Sequence, residues 1–228
     1  MRIICFAIAV IAYTVSNAQD SKIYVVNPGQ TIQEVIPDSI RYTNASFQHA
    51  KVLFMNGNVA DALMNYNLML QEMQFIDPAK GDTLSLADPD KLSVIVLGND
   101  SFYYNKGYLK QISQLNHVRL LQKQTIRLSS RNTLGVFDQP AQGAATTYSS
   151  FVGNTHDVNL RVNEKLTFKK ETHYYLLDKN KNIYPLSLSN LQMLLPRQRS
   201  LLGTTFQNKN LNDPHVVQQL SEWLNSQN

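Results

Sequence analysis

Lys51-Val-Leu-Phe-Met-Asn-Gly-Asn-Val-Ala-Asp-Ala-Leu-Met-Asn-Tyr66 is the stretch on which the fold turns. Lys51–Met55 runs into Asn56-Gly57, a dipeptide that tolerates positive φ at both central positions of a type I′ turn, and Val59–Tyr66 follows, so the segment predicts a β-hairpin. Working outward, Met69–Asp77 reads as a third strand, closed by Asp77-Pro78 and Lys80-Gly81. Asp82–Ala87 alternates, with Leu84 and Leu86 on one face and Thr83, Ser85 and Ala87 on the other, until Asp88-Pro89-Asp90 breaks it. Leu92–Leu97 holds the run Val94-Ile95-Val96-Leu97 expected of a strand covered on both faces, and Ser101–Tyr104 with Tyr108–Ile112 flanks Asn105-Lys106-Gly107 as a further hairpin. No interval between these strands has room for a crossover helix. The sheet is therefore expected to be an antiparallel meander, in a sandwich or barrel-like arrangement, and the fold class mainly β (α+β).

Beyond the meander, His117–Ser129 fits helix or strand, because Arg119, Lys123, Arg127 and Arg131 recur every four residues and share a side in either. β-branched Val118, Thr125 and Ile126 favour strand. Gly135 to His156 is a low-charge, loop-like stretch. Val158–Phe168 and Thr172–Leu177 read as two more strands, and Asp178–Asn182 turns the chain into Ile183–Leu186. The period then changes. Leu188, Leu191, Leu194 and Leu195 suit a short helix ended by Pro196, and Leu202 with Phe206 suggests another turn or two. Asp213 as N-cap, Pro214 at the first helical position, and Val216, Val217, Leu220, Trp223 and Leu224 along one face predict the last helix. The expected organisation is a signal peptide at 1–18, an N-terminal arm at 19–47 with a short strand at Ile23–Val26, an antiparallel β body at 48–186 and a small helical C-terminal unit at 187–228.

The signal peptide rests on Met1-Arg2, the apolar stretch Ile3 to Val15, and Ser16-Asn17-Ala18 before Gln19. A membrane anchor needs about 20 apolar residues and here meets Ser16, Asn17, Gln19 and Asp20 too early. No later segment offers a second span. Cleavage after Ala18 would leave 210 residues with a net charge of +3, against +4 for the whole chain, since Arg2 leaves with the signal. Export to the periplasm or the extracellular space follows as the expected localisation, with nucleic acid disfavoured as a partner. Cys5, the single cysteine, lies inside the apolar stretch, so the mature chain would carry no disulfide, thiolate metal site or cysteine nucleophile. Amides are as numerous as charges: 22 Asn and 18 Gln stand against 21 Lys+Arg and 17 Asp+Glu. Hydrophobic content of 43% is nonetheless enough for a packed core.

Two blocks carry a resemblance. Val52-Leu-Phe-Met-Asn-Gly-Asn-Val59 through Leu63-Met-Asn-Tyr-Asn67, Met73-Gln-Phe-Ile-Asp77 and Gly81-Asp-Thr83 to Phe102, and Tyr174-Tyr-Leu-Leu-Asp178 through Tyr184-Pro-Leu186 to Leu195, resemble secreted Bacteroidota proteins of uncharacterised function. The resemblance implies export and a β-rich body with a helical end. It implies no activity and no site residue.

Candidate chemistry is sparse. Asp178-Lys-Asn180-Lys-Asn182 opens like an EF-hand loop, but Ile183 stands in place of Gly at the sixth position and Ser189 in place of Glu at the twelfth, so a polar hairpin turn is the expected reading. His49, His117, His156, His173 and His215 are spaced too widely for a zinc site on one element. Gly-x-Ser-x-Gly, Ser-x-x-Lys, Gly-x-Gly-x-x-Gly and Walker patterns are missing, and His156-Asp157 beside Ser149-Ser150 is a chance triad composition. No catalytic, cofactor-binding or metal-ligating residue is assigned, no cofactor is expected, and a non-enzyme is favoured. Arg119, Lys123, Arg127 and Arg131 form the candidate contact for an anionic surface, weighed against a merely solvated face. Met64, Met69 and Met73 with Leu63, Leu70 and Phe75 are expected to be core, although methionines also suit adaptable grooves.

The functional expectation is an exported, non-enzymatic interaction or structural protein of the bacterial cell envelope, docking to a protein or an anionic envelope component. The alternative is a β-barrel or sandwich carrier of an apolar small ligand with the 135–156 loop as lid, and an enzyme ranks third. A closed, dry cavity favours the carrier; a solid core with an exposed patch favours docking.

Overall fold

The structure, a computed structural model, describes residues 22–132 and 158–227. The signal segment, the 135–156 loop and the His156-Asp157 pair lie outside the described residues. Eleven strands form one antiparallel sheet: β1 Ile23–Val26, β2 Gln48–Phe54, β3 Val59–Asn67, β4 Glu72–Ile76, β5 Thr83–Ser85, β6 Leu92–Leu97, β7 Asp100–Tyr104, β8 Tyr108–Leu115, β9 Val118–Asn132, β10 Lys165–Leu177 and β11 Ile183–Pro185. Among the described residues five α-helices accompany them: α1 Ile32–Val35, α2 Asp38–Arg41, α3 Leu188–Leu194, α4 Arg199–Phe206 and α5 Pro214–Ser226. The mainly antiparallel β class and the helical C-terminus expected from the sequence are both present.

The spatial order is β1-β10-β9-β8-β7-β6-β2-β3-β4-β5, with β11 also on β10. Two meanders, β2 to β5 and β6 to β10, are therefore joined by the pairing of β2 with β6, and the sheet is open, with β5 at one edge. Bending brings its parts together, since the Ile126 N–H donates to the Leu68 carbonyl at 2.9 Å. The inner face then encloses a first core in which Val26, Ile36, Val52, Met64, Tyr66, Met73, Ile95, Phe102, Leu166 and Phe168 are almost wholly buried. Met64, Met69 and Met73 are core, as their composition suggests, whereas Leu63 is exposed.

Several local expectations change. The hairpin turn is not type I′: only Gly57 has positive φ (+88°), and hydrogen bonds from Gly57 N–H to Phe54 C=O and from Phe54 N–H to Asn58 C=O make a three-residue loop with glycine in the left-handed position. The 19–47 arm carries the strand expected at Ile23–Val26, and its described part, from residue 22 on, is docked. β1 pairs with β10, the capping box of Thr31 and Glu34 opens α1, and Ile32 and Ile36 are buried in the first core. Val158–Phe168 is not a strand throughout, for only an isolated bridge of Arg161 to Thr31 precedes Lys165; from there one strand of 13 residues replaces the two expected. The 117–129 ambiguity resolves as strand.

β9 and β10 reach beyond the first core into a second. Leu115, Val118, Leu120, Tyr174, Leu176 and Leu186 from the sheet pack with Leu191, Leu202, Phe206, Val217, Leu220 and Leu224 from α3 to α5. Asp213 caps α5, its carboxylate accepting from His215 N–H at 2.8 Å, and Pro214 occupies the first turn as expected. Ser113 and Ser221 lock α5 to β8, Ser113 Oγ donating to Asn225 Oδ1 at 2.8 Å and Ser221 Oγ to the Ile112 carbonyl at 3.3 Å.

Candidate functional site

The basic positions fall on two faces. In β9 the side chains of Arg119, Lys123 and Arg127 alternate onto the outer face, cross-strand from Leu177, His173 and Lys169. The register shifts at Ser129, which stands as an extra residue between the Leu128–Phe168 and Ser130–Thr167 pairs. Such a bulge reverses the parity beyond it, so Arg131 lies opposite buried Leu166 on the inner face. There it forms an ion pair with Glu164 at 3.5 Å.

Two of the outer three are engaged locally. Arg119 lies 5.4 Å from the centre of the Tyr103 ring, covering a small outer cluster of Leu109, Leu121 and Leu177. Lys123 Nζ donates to the Lys106 carbonyl at 2.8 Å, and burial, with Arg127 nearby, holds its pKa below the ordinary lysine value. Gly107, next to this carbonyl, adopts φ +126°, a backbone conformation that residues with a Cβ rarely take. Arg127 is the exposed member, with one long contact of 3.4 Å to Gln71 Oε1. The structure thus places Arg119, Lys123 and Arg127 along one face, spaced by four residues of extended strand, and Arg131 on the other.

The other motifs resolve as structural. Asp178 Oδ1 accepts from Asn180 N–H and Asn182 N–H, both at 2.8 Å, and Oδ2 accepts from Asn182 Nδ2 at 2.9 Å. The side-chain and backbone bonds of Asn182 hold the Asp178 carboxyl below its usual range, and Lys181 adopts positive φ (+65°) to close the turn. This carboxylate is occupied by its own turn, the polar hairpin reading. His173 Nε2 stands 3.8 Å from Glu171 Oε2 on the exposed outer face, beyond hydrogen-bond distance. Among the described residues no group of three or more His, Cys, Asp or Glu side chains gathers where a metal could be held. No described helix is long and apolar enough to cross a membrane.

An apolar concavity lies over β2, β3 and β4, next to β5. Val52, Phe54, Ala62, Met64, Phe75 and Leu86 line an open groove of about 380 Å³ on the inner face, beside exposed Leu84. β5 itself has no strand on its outer side among the described residues. Asp82 C=O and Leu86 N–H are used inward, toward Asp77 and Met73, so alternation turns the N–H and C=O of Thr83 and Ser85 outward. Sequence reasoning assigned no site here; the available signal was Leu84 and Leu86 on one side of a short strand with no following helix to cover them. Compared with protein-family models, curated proteins and solved structures, the chain matches none.

Proposed function

We propose that this is an exported, non-enzymatic docking protein of the bacterial cell envelope, which takes an extended, apolar segment of a partner protein along the β5 edge. The observation that carries the reading is the juxtaposition of an open apolar groove with the free backbone of Thr83 and Ser85. A strand added to that edge gains main-chain hydrogen bonds, and its alternate side chains extend the apolar face beside Leu84 and Phe75, which commits the occupant to extended polypeptide. A solid core beneath the groove, which shares Val52 and Met64 with it, and its opening to solvent support docking over enclosed carriage of a small ligand.

Photo-crosslinking in the native host tests this. With p-benzoylphenylalanine at position 84, one envelope protein is expected in the adduct, through a single extended segment; the same probe at position 179, in the Asp178–Asn182 turn, gives none. Adducts with lipid or another small apolar molecule from position 84 would overturn docking in favour of carriage. Equal adducts from both positions would overturn the site.

A further inference from the structure

Between its two cores the inner face of the sheet is polar, with Gln122, Gln124, Lys170 and Thr172 half-buried among the described residues. β1 covers β10 only over Leu166–Lys169, and β11 only over Tyr175–Leu177. At the limits of this gap the Lys170 N–H donates to the Lys22 carbonyl at 2.8 Å and the Tyr174 carbonyl accepts from the Leu186 N–H at 3.0 Å. Alternation therefore points the backbone N–H and C=O of Thr172 into the gap, where no backbone group meets them among the described residues. A cleft of about 340 Å³ opens at this point, lined by the charged residues Lys22, Lys169, Lys170 and Glu171 and by Gln122, Gln124, Thr172 and Asn212 among others.

The charges in it are unbalanced. Lys170 lies cross-strand from buried Ile126, so its side chain is on the inner face, half-buried. No carboxylate pairs with it among the described residues. Asp100 is held by Lys110 at 2.6 Å and Glu164 by Arg131, while Glu171 alternates to the outer face beside Lys169 at 3.5 Å. Burial depresses the Lys170 pKa, and the ammonium of Lys22 acts in the same direction. Three lysines, Lys22, Lys169 and Lys170, thus stand against the single carboxylate of Glu171 in the lining, and this excess of positive charge favours an anion. Beside Tyr174 and Pro214, the wall carries the side-chain amides of Gln122, Gln124 and Asn212, which donate and accept as sugar hydroxyls do, and the volume falls at the small-molecule end of the usual 300–1,000 Å³ range.

We propose that the cleft is a binding site for a hexose-sized anionic sugar bearing a phosphate or a carboxylate. Lys22, Lys170 and the Thr172 N–H hold the anionic group; Gln122, Gln124 and Asn212 meet the hydroxyls. The site stands apart from the β5 groove, so either reading can fail without the other.

Calorimetric titration of the purified chain at low salt, with glucose 6-phosphate, glucuronate, glucose and inorganic phosphate, tests the assignment. Glucose 6-phosphate, glucuronate or both are expected to bind, and the stronger of the two names the anionic group. Glucose is expected to bind at least about tenfold more weakly, for want of a charge-assisted contact, and inorganic phosphate also more weakly than the preferred sugar. Lys170→Gln, and separately Lys22→Gln at an exposed position, should each weaken binding about tenfold or more, while Lys179→Gln leaves it unchanged. Circular dichroism confirms that each variant is folded. Failure of both charged sugars to bind, glucose binding as tightly as they do, or unchanged affinity in folded Lys170→Gln and Lys22→Gln would overturn the site. Inorganic phosphate binding as tightly as glucose 6-phosphate, with glucuronate silent, would overturn the sugar assignment.

Discussion

At the helical end of the sheet Leu115, Leu120, Leu176 and Leu186 disappear beneath α3, α4 and α5; at the β5 end Phe54, Ala62, Phe75 and Leu84 of the same inner face stay partly or largely in contact with solvent. Both ends are built from alternating strands with apolar residues facing inward. What separates them is the chain that follows. Leu186 leads directly into helices whose apolar stripes match the sheet, whereas Leu86 leads through Asp88-Pro89-Asp90 straight back into β6. An identical alternation therefore yields a sealed core in one place and an open groove in the other.

The largest test of that contrast is truncation of one aromatic at each end. Phe206, 1% exposed and edge-on to Trp223 with ring centres 6.1 Å apart, should cost about 3–5 kcal/mol of unfolding free energy as Phe206→Ala. Phe54→Ala, at the groove, should cost less than half as much in the same urea titration. Equal losses would break the distinction between sealed and open ends. A smaller effect comes from the cap of α5: Asp213→Ala should remove about 1 kcal/mol, and Asp213→Asn, which keeps an acceptor, much less.

The smallest concerns the turn that feeds the covered end. Asp178 titrates below its ordinary value of 3.8 in the folded chain. Its contribution to stability is therefore complete above that value and is lost as pH falls through the lower folded one. Asp178→Asn should accordingly show a shallower loss of stability than the parent between about pH 4 and pH 2. Identical acid profiles would show that the turn does not depend on the charge.

Much of the contrast is legible in the residues. Short strand spacing and turn dipeptides mark the meanders, and Asp213-Pro214 with the Val217, Leu220, Leu224 stripe marks the helix that seals the second core. Three features escape because they are set by pairing across the sheet. The Ser129 bulge, which no side chain signals, turns Arg131 away from Arg119, Lys123 and Arg127. Lys169-Lys170-Glu171 reads as a break between two strands, yet β10 runs through it, Lys169 and Glu171 pointing outward and Lys170 into the cleft. An inward-parity lysine between Phe168 and Tyr174 was the available clue. Pairing of β2 with β6, which leaves β5 at the edge, joins segments about 45 residues apart and has no local signature.

Amide hydrogen exchange on the purified chain, alone and with a synthetic peptide copying the segment crosslinked at position 84, tests the docking reading most directly. The outward amides of Thr83 and Ser85 should exchange rapidly in the free protein and become protected with the peptide, while α3 to α5 remain unchanged. Protection that appears on the helices, or β5 amides that exchange alike in both samples at saturating peptide, would contradict it.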